Sequence, residues 1–151
     1  MLLNLLAKIG TVIFSSFMLI LDTHILIYLI NGDQRIKKTG FLKLINQAAS
    51  KNSIKIPTIC TWEIAMLVAK KRISITSNVL DWINKTLSLP GISLCHLSPE
   101  IACESSSLPG SFHGDPADRI IVASTRILNG TLLTFDQKIL RYAKDGYVNC
   151  A

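Results

Sequence analysis

Only ten acidic residues occur in this 151-residue chain, so the position of each one carries information. Asp22 directly follows the apolar run MLIL (18–21), and Asp136 directly follows TLLTF (131–135). Glu63 and Asp118 each stand near the start of a segment with helical spacing, TWEIAMLVAKKR and PADRIIVAS. An ionised group beside an apolar strand is costly unless it is paired or bound to a metal. Carboxylates forced together repel, and their pKa values rise unless something compensates. A divalent cation is the usual compensation: Mg²⁺ and Mn²⁺ take oxygen ligands in octahedral geometry, and Mg²⁺ keeps several waters. Such a site can activate a water and stabilise the leaving oxygen of a phosphodiester. That chemistry needs no nucleophilic Ser, Cys or His.

Each acid also has a purely structural reading. Asp115 before Pro116 has the pattern of a helix N-cap with proline at the first helical position, which puts Asp118 at the third, where a carboxylate favours the helix dipole. Glu63 reads as a first-turn acid on the same ground, and Asp136 as a turn residue. Asp22 is the hardest of them to dismiss.

The acids converge only if the elements carrying them share an edge. From Met18 the chain alternates short apolar runs with helical stretches: strands at 18–21, 53–57, 92–97 and 131–135, with YVNC (147–150) as a fifth. Between them the pattern predicts a helix after Asp22, a loop at Asn31-Gly32-Asp33, and a helix over 41–51. A further helix is capped by Thr58 or Thr61 and runs to the basic end Lys70-Lys71-Arg72. Helices over 79–87, from Ser98-Pro99, from Asp115-Pro116 to about Leu128, and over 137–143 complete the set. Strands separated by helices mean a parallel sheet of four to five strands flanked by helices, hence α/β. Ligands of such sheets bind outside the carboxyl ends of the strands, where all four acids are placed.

Composition agrees with one well-packed domain. Apolar residues make up 49% and charged residues 17%, which excludes a disordered chain. The formal charge of +6 suits an anionic partner and says nothing about fold. Cys60, Cys95, Cys103 and Cys150 lie far apart with no CxxC pair, which suits a reduced cytoplasmic protein rather than a zinc site. Residues 1–17 form an N-terminal extension: a mis-assigned start before Met18 or a weak anchor. The apolar run after Lys8 is too short for a membrane span, so a membrane role is not expected.

MLILDTHILIYLI, TWEIAMLVAKKRI, FHGDPADRIIVAS and TLLTFDQKIL, in that order, resemble PIN-domain proteins, and most specifically VapC-type toxins of bacterial type II toxin–antitoxin systems. The resemblance runs from Met18 nearly to the C-terminus and implies a PIN-like three-layer α/β/α domain over 18–151. It places the family's catalytic and metal-binding acids on Asp22, Glu63, Asp118 and Asp136. It further implies an Mg²⁺- or Mn²⁺-dependent endoribonuclease that cuts tRNA, rRNA or mRNA and so stops translation. A homodimer and a cognate antitoxin that lays a segment over the acidic site belong to the same implication. Residues 1–17 have no family counterpart.

Secondary candidates surround these acids. Thr23 and Thr134 either hydrogen-bond a ligand or water, or are ordinary strand-end polarity. Arg119 either neutralises the acids and contacts phosphate, or partners Asp115. His24 and His113 read as local hydrogen bonders rather than metal ligands, and Trp62 and Trp82 as core or dimer surface. A phospho-acceptor domain would want an Asp ending the third strand, and a dehalogenase-type phosphotransferase would want DxD; neither is present. The remaining alternative is a non-catalytic nucleic-acid-binding or protein-interaction module of the same fold.

Overall fold

The computed structural model describes residues 17–151, so the N-terminal extension, apart from Phe17, lies outside the described residues. Leu19–Leu21 forms β1, a strand whose three side chains are all fully buried. A continuous apolar run with no polar face is what a strand covered on both sides requires. Thr23–Ile30 (α1), Gln34–Lys38 (α2) and Phe41–Ser50 (α3) lead to β2, Ile54–Pro57. Thr58–Ala69 (α4) and Val79–Leu87 (α5) precede β3, Ile92–Cys95. Pro99–Ser106 (α6) and Pro116–Ile127 (α7) precede β4, Thr131–Leu133, and Gln137–Lys144 is α8.

The four strands are all parallel, in the order β3-β2-β1-β4. Leu19 stands opposite Ile54 on one side and Thr131 on the other, which makes β1 a central strand. From β1 the chain builds outward through β2 to β3, then returns to place β4 on the other flank. The order in which strands are added therefore reverses between β1 and β4, and the crevice beyond the carboxyl ends there is the usual ligand position. Packing of α3 on β1 and β2, and of α7 on β2 and β4, helps to close the core.

Several expected elements differ in detail. The fifth strand is reduced to one bridge, Leu132 with Cys150. Leu132 donates to the Asn149 carbonyl and Ala151 to that of Leu132, but the Tyr147 carbonyl is taken by the Arg126 guanidinium, which stops a longer ladder. Helix α2 was not expected: Asp33, read as a loop residue, caps it by accepting from Arg35 N at 2.8 Å. Neither Thr58 nor Thr61 caps α4. Pro57 holds the cap position, while the Thr58 hydroxyl donates to the Cys95 carbonyl and that of Thr61 to Thr58. The helix begins early enough that Glu63 sits in its second turn, not the first. β3 ends at Cys95, two residues short of the expected limit.

Other local readings match. Ser98 caps α6 by accepting from Ile101 N, and Asp115 caps α7 with Pro116 as its first residue. Trp82 packs against the core, whereas Trp62 is 56% exposed. All four cysteines are free, Cys60 and Cys95 buried and Cys103 exposed. Among the described residues no helix is long and apolar enough to cross a membrane.

Gly91 leads into β3 with φ +84°, and a Cβ there would lie 2.5 Å from the Ala49 backbone. Both the conformation and the space exclude a side chain. Gly91→Ala should lose at least about 2 kcal/mol of stability in urea denaturation, combining left-handed strain with overpacking. Gly40→Ala, with φ +75° and open space around it, should lose only the conformational part. Equal losses would contradict the packing argument.

Candidate active site

Asp22 begins the site. Its backbone N–H extends the β1–β4 pairing by donating to the Leu133 carbonyl at 3.1 Å. Its carboxylate caps α1 through Oδ1, which accepts from Thr23 N at 2.6 Å. Oδ2 accepts from the Thr134 hydroxyl, also at 2.6 Å, and the residue is only 6% exposed. Burial pushes its pKa up; the hydrogen bond from Thr134, the charge of His24 and the bond from Thr23 N oppose that rise.

Thr134 does more than terminate a strand. Its hydroxyl donates to Asp22 and accepts from Asp136 N at 2.9 Å, so one side chain links two of the acids. Thr23 donates to Glu63 and ties α1 to α4. Both threonines bind the acids directly, a role beyond strand-end polarity. Glu63 is half-buried, and burial raises its pKa, opposed by Thr23 and reinforced by the charge of Asp22.

Asp118 also carries a raised pKa. It occupies the third position of α7, where its N–H donates to Asp115 Oδ1 at 3.3 Å. Burial first, then the charges of Asp115, Asp22, Asp136 and Glu63, push its pKa up to about 7. Asp136 caps α8, with Oδ1 accepting from Lys138 N and Ile139 N at 2.7 and 3.0 Å. Asp22, Asp115 and Asp136 thus cap three helices whose positive ends meet at one place. Structural and chemical readings of these acids coincide, because the cap position is what carries the carboxylate there.

The acids share a cleft of about 640 Å³ lined by Asp22, Glu63, Asp115, Asp118 and Asp136 together with His24, Tyr28, Arg35, Lys38, Thr39 and Phe135. Tyr28, Arg35, Lys38, Thr39 and Phe135 were not singled out from sequence. Arg35 and Lys38 sit on the unexpected helix α2, and a three-residue spacing of cations in QRIKK was their only trace. A smaller hollow of about 330 Å³, lined by Ile59, Trp62, Met66, Pro116 and Ala117, shares Glu63 and Asp115 with the cleft.

Two other residues take different parts. Arg119 neither neutralises the acids nor partners Asp115. It donates to the carbonyls of Ser105 (2.7 Å), Phe112 (3.2 Å) and His113 (3.3 Å), pinning the loop that leads to Asp115. Three backbone carbonyls within reach of one guanidinium satisfy it better than a carboxylate already engaged in capping. His113 Nε2 lies 3.3 Å from Asp118 Oδ2, yet this buried nitrogen has no hydrogen-bond partner. Burial lowers the His113 pKa, so the ring is largely neutral at pH 7 and the contact is not a full ion pair.

The donor chemistry fits a hard divalent cation: carboxylate oxygens, mutually repelled and partly desolvated, with no thiolate in the cleft. Among the described residues no group of three His, Cys, Asp or Glu is arranged to hold one ion by itself. The carboxylates of Asp22, Glu63, Asp118 and Asp136 are the donors in the cleft that could hold such an ion.

The PIN domain matches residues 19–145. The chain belongs to the PIN-domain family. The sequence of this PIN domain is 28% identical over 120 residues to Ribonuclease VapC22 of Mycobacterium tuberculosis (strain ATCC 25618 / H37Rv), covering 80% of this chain and 88% of that protein. Its fold is shared with VapBC2 from Rickettsia felis, solved bound to a DNA fragment from its promoter. The TM-score is 0.66 at 18% identity, over 89% of this chain and 98% of that one. DNA-bound VapBC from Salmonella typhimurium gives 0.63 at 13% identity, over 89% and 97%. A toxin–antitoxin complex from Klebsiella pneumoniae gives 0.53 at 23%, over 79% and 87%.

The raised pKa of Asp118 has a consequence for stability. A carboxyl whose folded pKa exceeds its unfolded value holds its proton in the folded state where the unfolded chain has lost it, so stability falls as pH rises between the two. In EDTA, the contribution of Asp118 should lower the melting temperature between about pH 4 and pH 7. Asp118→Asn should flatten that fall and melt higher than the parent at about pH 8. An unchanged pH profile in the variant would contradict the assignment.

Proposed function

We propose that this PIN domain is a VapC-type toxin: an Mg²⁺- or Mn²⁺-dependent endoribonuclease that cuts tRNA, rRNA or mRNA to inhibit translation. The domain spans 18–151, acts in the cytoplasm, forms a homodimer, and is neutralised by a cognate antitoxin. The observation that carries this reading is Asp118, pushed up to about 7 by burial and by four neighbouring carboxylates at the sheet's switch point. Likeness to a protein named as a ribonuclease supports the activity, and likeness to VapBC complexes supports a protein partner. The apolar hollow around Trp62, opening beside the acids, supports a partner segment seated there.

Asp22, Glu63, Asp118 and Asp136 are assigned as the catalytic and metal-holding residues. A divalent ion, when bound, supplies an activated water and charge stabilisation for the leaving oxygen of the phosphodiester. Thr134 orients Asp22 and, through Asp136 N, the start of α8; Thr23 orients Glu63. With a pKa near 7, Asp118 can hold or release a proton at its carboxyl oxygen under working conditions. The non-catalytic alternative, in which the acids only cap helices, accounts for Asp22, Asp115 and Asp136. It leaves Glu63 unexplained, since Glu63 lies half-buried inside α4 and caps nothing.

The test is cleavage of total RNA and a tRNA panel by the purified full chain in Mg²⁺, Mn²⁺ or EDTA. Discrete metal-dependent cuts should appear, and Asp22→Asn should reduce them at least about 100-fold while keeping the parent circular dichroism spectrum. Cleavage by Asp22→Asn at the parent rate would contradict the site. Absence of any metal-dependent cleavage would favour the non-catalytic module.

A further inference from the structure

The cleft that gathers the carboxylates also contains two cations, Arg35 and Lys38. They stand three residues apart on α2, the spacing that puts side chains on one helical face. Arg35 is held in place: Nε and Nη2 donate to Asp33 at 3.0 and 2.7 Å, and Nη1 to the Tyr28 hydroxyl at 2.8 Å. Its guanidinium also lies 3.7 Å from the centroid of the Tyr28 ring. Asp33 therefore offsets much of the charge of Arg35. Lys38 is exposed and has no ion pair among the described residues.

Five carboxylates line the same cleft, and an RNA strand carries a negative charge at every phosphate. An ion held by the acids compensates only the phosphate beside it. The next phosphate along the strand must find another cation or be repelled by the same field. Within the cleft that cation is Lys38, with Arg35 fixed beside it. Tyr28 and Phe135, with ring centroids 6.2 Å apart, add aromatic surface to the same lining.

We propose that Lys38, supported by the pinned Arg35, seats the phosphate flanking the one that is cut, so that α2 guides a single strand of RNA across the acids. This inference rests on the ribonuclease reading and goes beyond it by naming the residues that hold the substrate backbone. Lys37 supplies an internal control: it is the adjacent residue, also exposed, and does not line the cleft.

The test is anisotropy of a short fluorescein-labelled oligouridylate with the full chain in Mg²⁺ across a KCl series, with cleavage of total RNA run in parallel. Lys38→Gln should weaken binding and reduce the slope of log affinity against log salt by about 0.7, one single-strand phosphate contact. Lys38→Arg should restore that slope, and Lys37→Gln should leave it at the parent value. Equal effects of the two glutamine variants would replace a seat by a diffuse field and overturn the proposal. So would failure of the parent to bind the oligouridylate, or a parent-like slope in Lys38→Gln. Loss of metal-dependent cleavage in the parent overturns the ribonuclease reading itself; intact cleavage with an unmoved slope overturns only the phosphate seat.

Discussion

Mutual repulsion among five carboxylates in a half-buried cleft is the constraint that the rest of this structure accommodates. Placed there without compensation, the acids would protonate or the cleft would open. The chain answers with three helix N-termini, one behind each of Asp22, Asp115 and Asp136. Two threonine hydroxyls add donors to Asp22 and Glu63. The compensation is partial: burial first, and then the neighbouring carboxylates, still push the Asp118 pKa up to about 7.

The sheet makes that arrangement possible. Because β1 is fully buried between β2 and β4, the first residue beyond it meets water only through the cleft, and an Asp there is largely desolvated. The reversal of strand order between β1 and β4 opens a crevice at the same point, into which α1 and α8 start with their caps. Stability is thereby given up where function needs charge, a trade seen wherever active sites hold groups that the fold alone would not choose. The cations of α2, Arg35 and Lys38, line the same cleft and offset part of its negative charge.

Much of this was legible in the sequence because the deciding signals are local. Asp22 after MLIL, and Asp115-Pro116 followed by Asp118, each combine a strand or cap rule with a charge in a fixed place. What escaped notice depends on distance along the chain or on weak periodicity. Thr134 meets Asp22 across 112 residues and Thr23 meets Glu63 across 40, so no spacing rule links them. Helix α2 is five residues with one buried side chain, Ile36, too short for an apolar stripe to announce it. The role of Arg119 depended on loop carbonyls whose positions only the folded chain defines. Glu63 was placed a turn too early because Pro57 starts α4 without a side-chain cap.

The central claim is that this unrelieved repulsion is a binding site for a hard divalent cation. Titration calorimetry of Mn²⁺ into the metal-free full chain near pH 7, in two buffers of different ionisation enthalpy, tests it most directly. A carboxyl half-protonated at that pH must lose its proton when a cation takes its place. Binding accompanied by proton release, with the release abolished in Asp118→Asn, is the expected result. No binding, or binding whose heat is the same in both buffers, would contradict it.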